Sequence, residues 1–194
     1  MDNEAVKYAI RAYVKEFDSV AIFLSSNGIT EVSKALSEVR YLTILTNNFE
    51  LYANATSRVS ITGGVKQRNG LFGPEVLNRI EEFWANVTIF DVGGISANGF
   101  MCHWDDEREI KKLLFTKSTG VRLIPVSWKV IGRNDAFVVS LVRSINANID
   151  RTGETIIVTK RPPEPPETDP EQVEDFHEEL NSLKKLGIEI EIVD

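Results

Sequence analysis

The sequence predicts an α/β fold with a mostly parallel sheet between layers of helices. Short apolar runs alternate with amphipathic helical stretches along the 194 residues, which is the pattern of βαβ crossovers. Most of the runs are continuously apolar, as strands buried on both faces are. Hydrophobic residues make up 42% of the chain, enough for one well-buried domain. Together these observations predict a Rossmann-like three-layer sandwich with a small C-terminal helix–strand extension.

The elements follow one another in a regular order. Apolar runs ended by polar residues, glycine or proline predict strands at 20–24, 41–45, 58–62, 87–92, 121–126 and 155–159. Helical spacing of apolar residues predicts helices at 3–17, 30–39, 48–56, 74–84 and 105–118. We read residues 1–18 as a linker helix that leads into a single domain spanning 19–194.

The C-terminal extension begins after a proline-rich stretch. Five of the seven prolines lie in 162–170, so 161–170 is predicted to be a surface loop. Asp169 then fits a helix N-cap, and an apolar stripe follows it up to Gly187, a natural helix stop. Residues 188–193 alternate apolar and charged, which predicts a half-exposed strand at a sheet edge.

Charge and composition exclude several classes of function. The net charge of −7 arises in residues 160–194, which hold four Lys/Arg and eleven Asp/Glu and leave 18 of each elsewhere. No basic stripe is present, so direct DNA binding by this polypeptide is not expected. No apolar run reaches the roughly 18 residues of a membrane span. A single cysteine, Cys102, and two histidines fit a cytoplasmic protein with no disulfide, metal or cofactor.

Four polar loops follow predicted strands. They are Ser25–Thr30, Thr46–Asn48, Thr62–Gly64 and Asp91–Ile95. Open parallel sheets bind ligands at this edge, because loop N–H groups and helix N-termini converge there. Each loop by itself is equally well explained as a turn. Four of them at equivalent strand ends favour a shared anion site.

The candidate catalytic side chains have simpler alternatives. Glu107 and Lys111 stand four residues apart on a helix, and spacing alone favours a solvated ion pair that stabilises by about 0.3–0.5 kcal/mol. Lys129 reads as a loop charge. Cys102 and His103 are adjacent, and adjacent residues do not face one another, so a nucleophile–base pair is not favoured. The chain also lacks the nucleophile-elbow, Walker A and dinucleotide-binding motifs.

An ordered set of short segments resembles the C-terminal effector-binding domain of DeoR-type transcriptional repressors. The superfamily to which these effector-binding domains belong also includes ribose-5-phosphate isomerase and CoA transferases. The matching segments are 22-IFLSSNGITEVSKAL-36, 43-TILTNN-48, 61-ITGG-64 with 72-FGP-74, 93-GGISANG-99, 107-EREIKKLL-114 and 127-SWK-129. No single segment is specific, and the order carries the resemblance.

The resemblance implies a ligand-sensing domain. Such domains bind a sugar phosphate or a similar phosphorylated metabolite, and binding controls DNA contact through a helix-turn-helix that this chain does not contain. A homo-oligomer with no membrane partner and no enzymatic activity is implied. The implied ligand-binding residues are Ser26, Gly28, Thr30, Thr46, Asn47, Gly63, Gly64, Gly94, Glu107, Lys111 and Lys129. Lys111 would supply positive charge, with Glu107 orienting it.

The chain departs from the family pattern at three acidic positions. Ser25, Gly93 and Val126 stand where the family carries aspartates. Isomerisation of a sugar phosphate needs a positioned base, so these losses argue against catalysis unless Asp91 faces the pocket. An isomerase-like enzyme is the alternative reading. A third reading is an interaction module whose acidic tail binds a partner.

Overall fold

The computed structural model describes residues 2–24, 29–142, 153–163 and 168–193. The strands are β1 (Ser19–Phe23), β2 (Thr43–Thr46), β3 (Arg58–Ile61), β4 (Val65–Gln67), β5 (Gly70–Phe72), β6 (Val87–Phe90), β7 (Gly94–Ser96), β8 (Gly99–Cys102), β9 (Val121–Pro125), β10 (Phe137–Ser140), β11 (Thr155–Lys160) and β12 (Glu189–Val193). The helices are α1 (Asn3–Tyr13), α2 (Ile29–Ser37), α3 (Phe49–Asn54), α4 (Pro74–Glu82), α5 (Asp105–Lys117) and α6 (Pro170–Lys185), and Trp128–Val130 forms a short 3-10 helix.

The central sheet has seven strands in the order β12-β11-β9-β6-β1-β2-β3. Every neighbouring pair in it is parallel. Its two faces are both buried, because successive side chains of a strand point to opposite faces. In β1, Val20 and Ile22 pack with α1, α2 and α3, whereas Ala21 and Phe23 pack with α4, α5 and α6. The predicted three-layer α/β sandwich is therefore confirmed.

Two predicted element boundaries were wrong for a backbone reason. The helix predicted at 3–17 ends at Tyr13, because Val14 adopts extended backbone angles. The strand predicted from residue 41 begins at Thr43, since Tyr41 has a φ of 61° in the left-handed region, which no strand residue adopts. The first helix buries Ala5 and Ile10 completely. The division into a linker helix and a single domain stays a prediction.

The C-terminal extension docks at one edge of the sheet, as predicted. The Asp169 side chain accepts a hydrogen bond from Glu171 N at 3.1 Å and caps α6. Gly187 ends the helix with a φ of 78°. Strand β12 then pairs in parallel with β11. Phe176 of α6 is 1% exposed in the core that α4 and α5 share, so the extension completes that layer.

Two antiparallel elements stand outside the central sheet, and the sequence prediction missed both. Strands β4 and β5 form a hairpin, and β10, β8 and β7 form a three-stranded sheet. The small sheet packs on α5, where the rings of Phe100 and Phe115 lie 5.1 Å apart. The same Phe115 ring also lies 4.9 Å from the ring of Phe90 in β6, so α5 contacts both the small sheet and the central sheet.

A buried arginine secures the other end of α5. Arg122 lies on β9 of the central sheet and is 1% exposed. Its guanidinium donates to Phe115 O at 2.6 Å, in the last turn of α5, and also to Gly153 O. Burial lowers the pKa of Arg122 to about 10. Among the helices that the structure describes, none combines the length and apolar character that spanning a bilayer requires.

Candidate ligand-binding cleft

A cleft opens at the carboxyl ends of β1 and β2, between the tip of the β4–β5 hairpin and helix α5. Its volume is about 370 Å³, including the open mouth. Its walls are Phe23, Leu24, Asn47, Arg68, Asn69, Gly70, Phe72, Glu107, Ile110 and Lys111. The cleft lies at the edge where the sequence predicts a ligand site.

The hairpin is held over the cleft by Asn47. The Asn47 side chain donates to Leu71 O at 3.0 Å, and Leu71 N donates to Asn47 O at 2.9 Å. Gly70 has to be small here, because a Cβ at that position would lie 3.0 Å from Asn47 Nδ2. Asn47 therefore lines the cleft, as predicted, and its amide also anchors the hairpin.

A buried charge cluster forms one wall of the cleft. Lys111 Nζ lies 2.9 Å from Glu107 Oε2 and 3.5 Å from Asp91 Oδ1. The three side chains are only 5%, 9% and 10% exposed, respectively. The interpretation of Glu107 and Lys111 as a solvated surface pair was therefore wrong. Helical spacing showed that the two residues meet, but it could not show that the small antiparallel sheet and the hairpin bury them.

Lys111 carries its charge inside the fold. Burial by itself would lower the pKa of Lys111, but the carboxylates of Asp91 and Glu107 beside it outweigh burial and raise that pKa above its ordinary value. The ammonium is therefore protonated at neutral pH and does not serve as an amine nucleophile. Asp91, which the sequence left open, does share this cluster.

Arg68 covers the cleft from the tip of the hairpin. Its guanidinium carbon lies 4.7 Å from the centre of the Phe72 ring and 4.8 Å from the centre of the Trp104 ring. The guanidinium donates to Asp106 Oδ1 at 2.6 Å, and it lies 3.9 Å from Glu107 Oε1. Its backbone has a φ of 48°, a left-handed conformation that is uncommon for residues other than glycine. The sequence places Lys66 and Arg68 between Gly64 and Gly73, and it leaves open whether either side chain reaches an anion.

Several predicted site residues serve the backbone near the cleft and do not line it. Thr46 is fully buried, and its hydroxyl accepts from Asn48 N at 3.1 Å. Thr30 is exposed on α2 and bonds Glu50 Oε1 at 3.2 Å. Gly64 has a φ of 105°, and a Cβ there would lie 2.6 Å from the carbonyl oxygen of Phe72. This glycine is thus required by the close approach of the hairpin's own strands.

The remaining predicted residues divide into two groups. Gly63 has a φ of 79° at the base of the hairpin, Gly94 begins β7, and Lys129 is exposed with its ammonium 5.5 Å from the centre of the Trp128 ring. None of these three is among the described residues that line the cleft. Ser26 and Gly28 lie outside the described residues. Of the predicted set, the structure brings Asn47, Glu107 and Lys111 together.

A carboxylate from another part of the chain occupies the space beside Gly93. A Cβ at residue 93 would collide with the Asp135 carboxylate. Asp135 is 7% exposed, and its Oδ1 lies 3.1 Å from Nδ1 of the exposed His103. The acidic group missing from position 93 is therefore supplied nearby by Asp135, which no local sequence pattern indicates.

Cys102 is unsuited to nucleophilic chemistry. The thiol is fully buried and lies 3.3 Å from Trp104 O. Burial raises the pKa of Cys102 to about 11, so very little thiolate is present at neutral pH. Within the described ranges, no group of three or more His, Cys, Asp or Glu side chains is arranged to hold a metal ion.

Solved structures resemble the chain weakly, and no curated protein matches it. eIF2B beta from Chaetomium thermophilum is 12% identical over 69% of this chain and 40% of that chain, with a TM-score of 0.46. A transcriptional regulator from Streptococcus pneumoniae TIGR4 is 8% identical over 92% and 86% (TM-score 0.42), and a Pseudomonas aeruginosa RhlG/NADP complex is 10% identical over 94% and 97% (TM-score 0.39). This chain spans less than half of the eIF2B beta chain.

The family assignment comes from the sequence itself. The model of the DeoR C terminal sensor domain matches residues 4–149. These residues include helices α1 to α5, strands β1 to β10 and all the described walls of the cleft. This chain therefore belongs to the DeoR C-terminal sensor domain family.

Proposed function

We propose that this domain senses a sugar phosphate or similar phosphorylated metabolite, which binds in the cleft and controls how a transcriptional regulator engages DNA. The observation that carries the proposal is the cleft at the carboxyl edge of a parallel sheet, whose walls include the cations Arg68 and Lys111. Ligands of open α/β sheets bind at this edge. Family membership supplies the regulatory context, and DNA contact would come from a helix-turn-helix that this chain does not contain.

The composition of the walls supports a small polar ligand. Phe23, Phe72 and Ile110 provide apolar surface, while Asn47, Lys111 and Glu107 provide polar groups. A few polar groups on apolar walls are typical of small-molecule sites.

Thermal unfolding with a panel of phosphorylated metabolites tests this function. A ligand at one hundred times its Kd stabilises by about 2.7 kcal/mol, which raises Tm by roughly 5–11 °C for a chain of this size. Lys111→Gln is expected to reduce that rise, because Lys111 lines the cleft. Lys112→Gln is the matched control, because Lys112 lies on the same helix and pairs with Glu109 at the surface. A panel that leaves Tm unchanged would reject the phosphorylated ligand.

A specific observation favours one competing function. Asp91 and Glu107 place two carboxylates beside Lys111, and an isomerase needs a carboxylate base. Both carboxylates are ion-paired here, which favours binding over proton transfer. A coupled sugar-phosphate isomerase assay discriminates the two, since turnover that depends on Glu107 or Asp91 would replace the sensor proposal.

Oligomerisation and location are separate parts of the proposal. We expect a cytoplasmic homo-oligomer, as the family context implies. Light scattering after size-exclusion chromatography tests the first part, and a mass of 21.8 kDa, that of one chain, would reject it.

A further inference from the structure

We propose that Arg68 is the residue that binds the anionic group of the ligand, by exchanging Asp106 for that group. This inference rests on the proposed function and assigns its phosphate-binding cation. The sequence analysis gave that role to Lys111. The charges around the two cations point to Arg68.

Lys111 has little net attraction left for an anion. Asp91 and Glu107 both contact the Lys111 ammonium. The three side chains together therefore carry one excess negative charge. A phosphate added there would face two carboxylates in a poorly solvated wall, where like charges repel strongly. Lys111 is therefore suited to neutralising the wall and to hydrogen bonding an uncharged part of the ligand.

Arg68 is preorganised for an oxyanion. The rings of Phe72 and Trp104 lie within 4.8 Å of the guanidinium carbon, and this packing limits its movement. Within the part of the chain that the structure describes, the guanidinium makes one hydrogen bond, to Asp106. A guanidinium has five N–H donors in a planar fork that matches phosphate. Arg68 also lines the cleft, so its remaining donors are available where a ligand would enter.

The present partner of Arg68 is easily exchanged. The Arg68 and Asp106 side chains are 35% and 31% exposed, and ion pairs this open to solvent are weak. Asp106 lies in the first turn of α5, where the helix dipole favours a carboxylate after its partner leaves. Once Asp106 turns to solvent, two cations and two carboxylates remain at the cleft, and an anion is no longer opposed by an excess of negative charge.

Titration with inorganic phosphate at constant ionic strength tests the exchange, with Kd read from thermal shift and tryptophan fluorescence. Arg68→Gln is expected to weaken binding at least tenfold. Asp106→Asn is expected to tighten it about two- to fivefold, because the competing carboxylate is gone. Phosphate should also change the fluorescence of Trp104, which stacks on Arg68, and Trp104→Phe should remove that signal.

Two controls match these variants in charge. Lys66→Gln removes an exposed cation from the same hairpin, and Asp105→Asn removes an exposed carboxylate next to Asp106 that pairs with Arg108. Both are expected to leave Kd unchanged. If Arg68→Gln binds phosphate as Lys66→Gln does, or if Asp105→Asn tightens binding as much as Asp106→Asn, the assignment of Arg68 is wrong while the sensor proposal stands. If neither wild type nor Asp106→Asn binds phosphate, the assignment is also wrong, and the metabolite panel decides the proposed function separately.

Discussion

Replacing Lys111 by methionine is the sharpest test of the buried charge cluster. The substitution keeps most of the side-chain volume and removes the charge. It leaves Asp91 and Glu107 facing each other with 10% and 9% exposure and no ammonium between them. Neither carboxylate is expected to regain full solvation, because both side chains lie inside the fold.

The expected cost follows from this burial. Removing one partner of a buried ion pair destabilises by about 3–5 kcal/mol, and at roughly 2–4 °C per kcal/mol this lowers Tm by about 6–20 °C. The wild-type pKa of Lys111 is raised above 10.5, so its stabilisation is complete below pH 10.5 and is lost as pH rises through the folded-state pKa.

Urea unfolding at pH 8 and at a pH above 10.5 measures both effects. Lys112→Met is the control, because the Lys112–Glu109 pair on the same helix is 45% and 54% exposed and should contribute less than about 1 kcal/mol. If Lys111→Met unfolds within 1 kcal/mol of the control at pH 8, the cluster is solvated and the reasoning fails.

Three further predictions concern backbone strain, thiol reactivity and core packing. In urea unfolding, Gly64→Ala should destabilise the protein more than Gly63→Ala. Both glycines have positive φ, but a Cβ at residue 64 would lie 2.6 Å from a backbone atom, whereas a Cβ at residue 63 would lie 3.9 Å from its nearest neighbour. The reverse order of stabilities would contradict this geometry. With a pKa of about 11, about one-thousandth of the Cys102 thiol should be thiolate at pH 8. Iodoacetamide should therefore label the native protein far more slowly than the urea-unfolded protein. Equal labelling rates would show that the thiol is accessible in the native protein. Phe176→Ala should lower the free energy of unfolding by about 3–5 kcal/mol. The control Glu178→Ala, at an exposed residue of the same helix, should lower it by less than about 0.5 kcal/mol. Similar urea midpoints for the two variants would show that α6 does not belong to the core.

The central sheet was predictable because its strands carry a strong pattern. A strand covered by helices on both faces needs apolar residues at every position, and β1 and β6 are of this kind. The C-terminal unit was predictable from a different pattern. Strand β12 lies at an edge of the sheet, and its residues alternate between apolar and charged. Boundaries were less accurate where one residue, such as Tyr41, takes a left-handed conformation.

The hairpins had a signal that the sequence analysis did not use. The two-residue turns that join β4 to β5 and β7 to β8 are Arg68-Asn69 and Ala97-Asn98, so each turn ends in an asparagine that is followed by the glycine opening the next strand. Asn-Gly between short apolar segments is the strongest local indication of a two-residue hairpin. The strands themselves have three or four residues, too few for a period to emerge. Recognising the first hairpin would have placed Arg68 at a turn beside the cleft.

The site was harder to predict because polar residues at strand ends first satisfy the backbone. Thr46 accepts from a backbone N–H, Asn47 pairs with both polar groups of Leu71, and Asn48 caps α3. All three match the pattern of a ligand loop, and the same atoms are needed whether or not a ligand binds. Burial of these backbone groups without partners would be costly, so the pattern alone cannot distinguish the two uses.

A ligand-binding group differs from such residues in having donors beyond what the fold requires. Arg68 meets this condition, since a guanidinium has five donors and Asp106 engages one of them. Lys111 meets it less well, because its charge is already opposed by two carboxylates. This distinction depends on distances between α5, β6 and the hairpin, elements that are remote in sequence. The experiment that separates the two cations therefore compares Arg68→Gln with Lys111→Gln on the same phosphorylated ligand. Arg68→Gln is expected to lose the part of the affinity that depends on the ligand's negative charge. Lys111→Gln is expected to bind phosphate as the wild type does but to lose the preference for one metabolite over another.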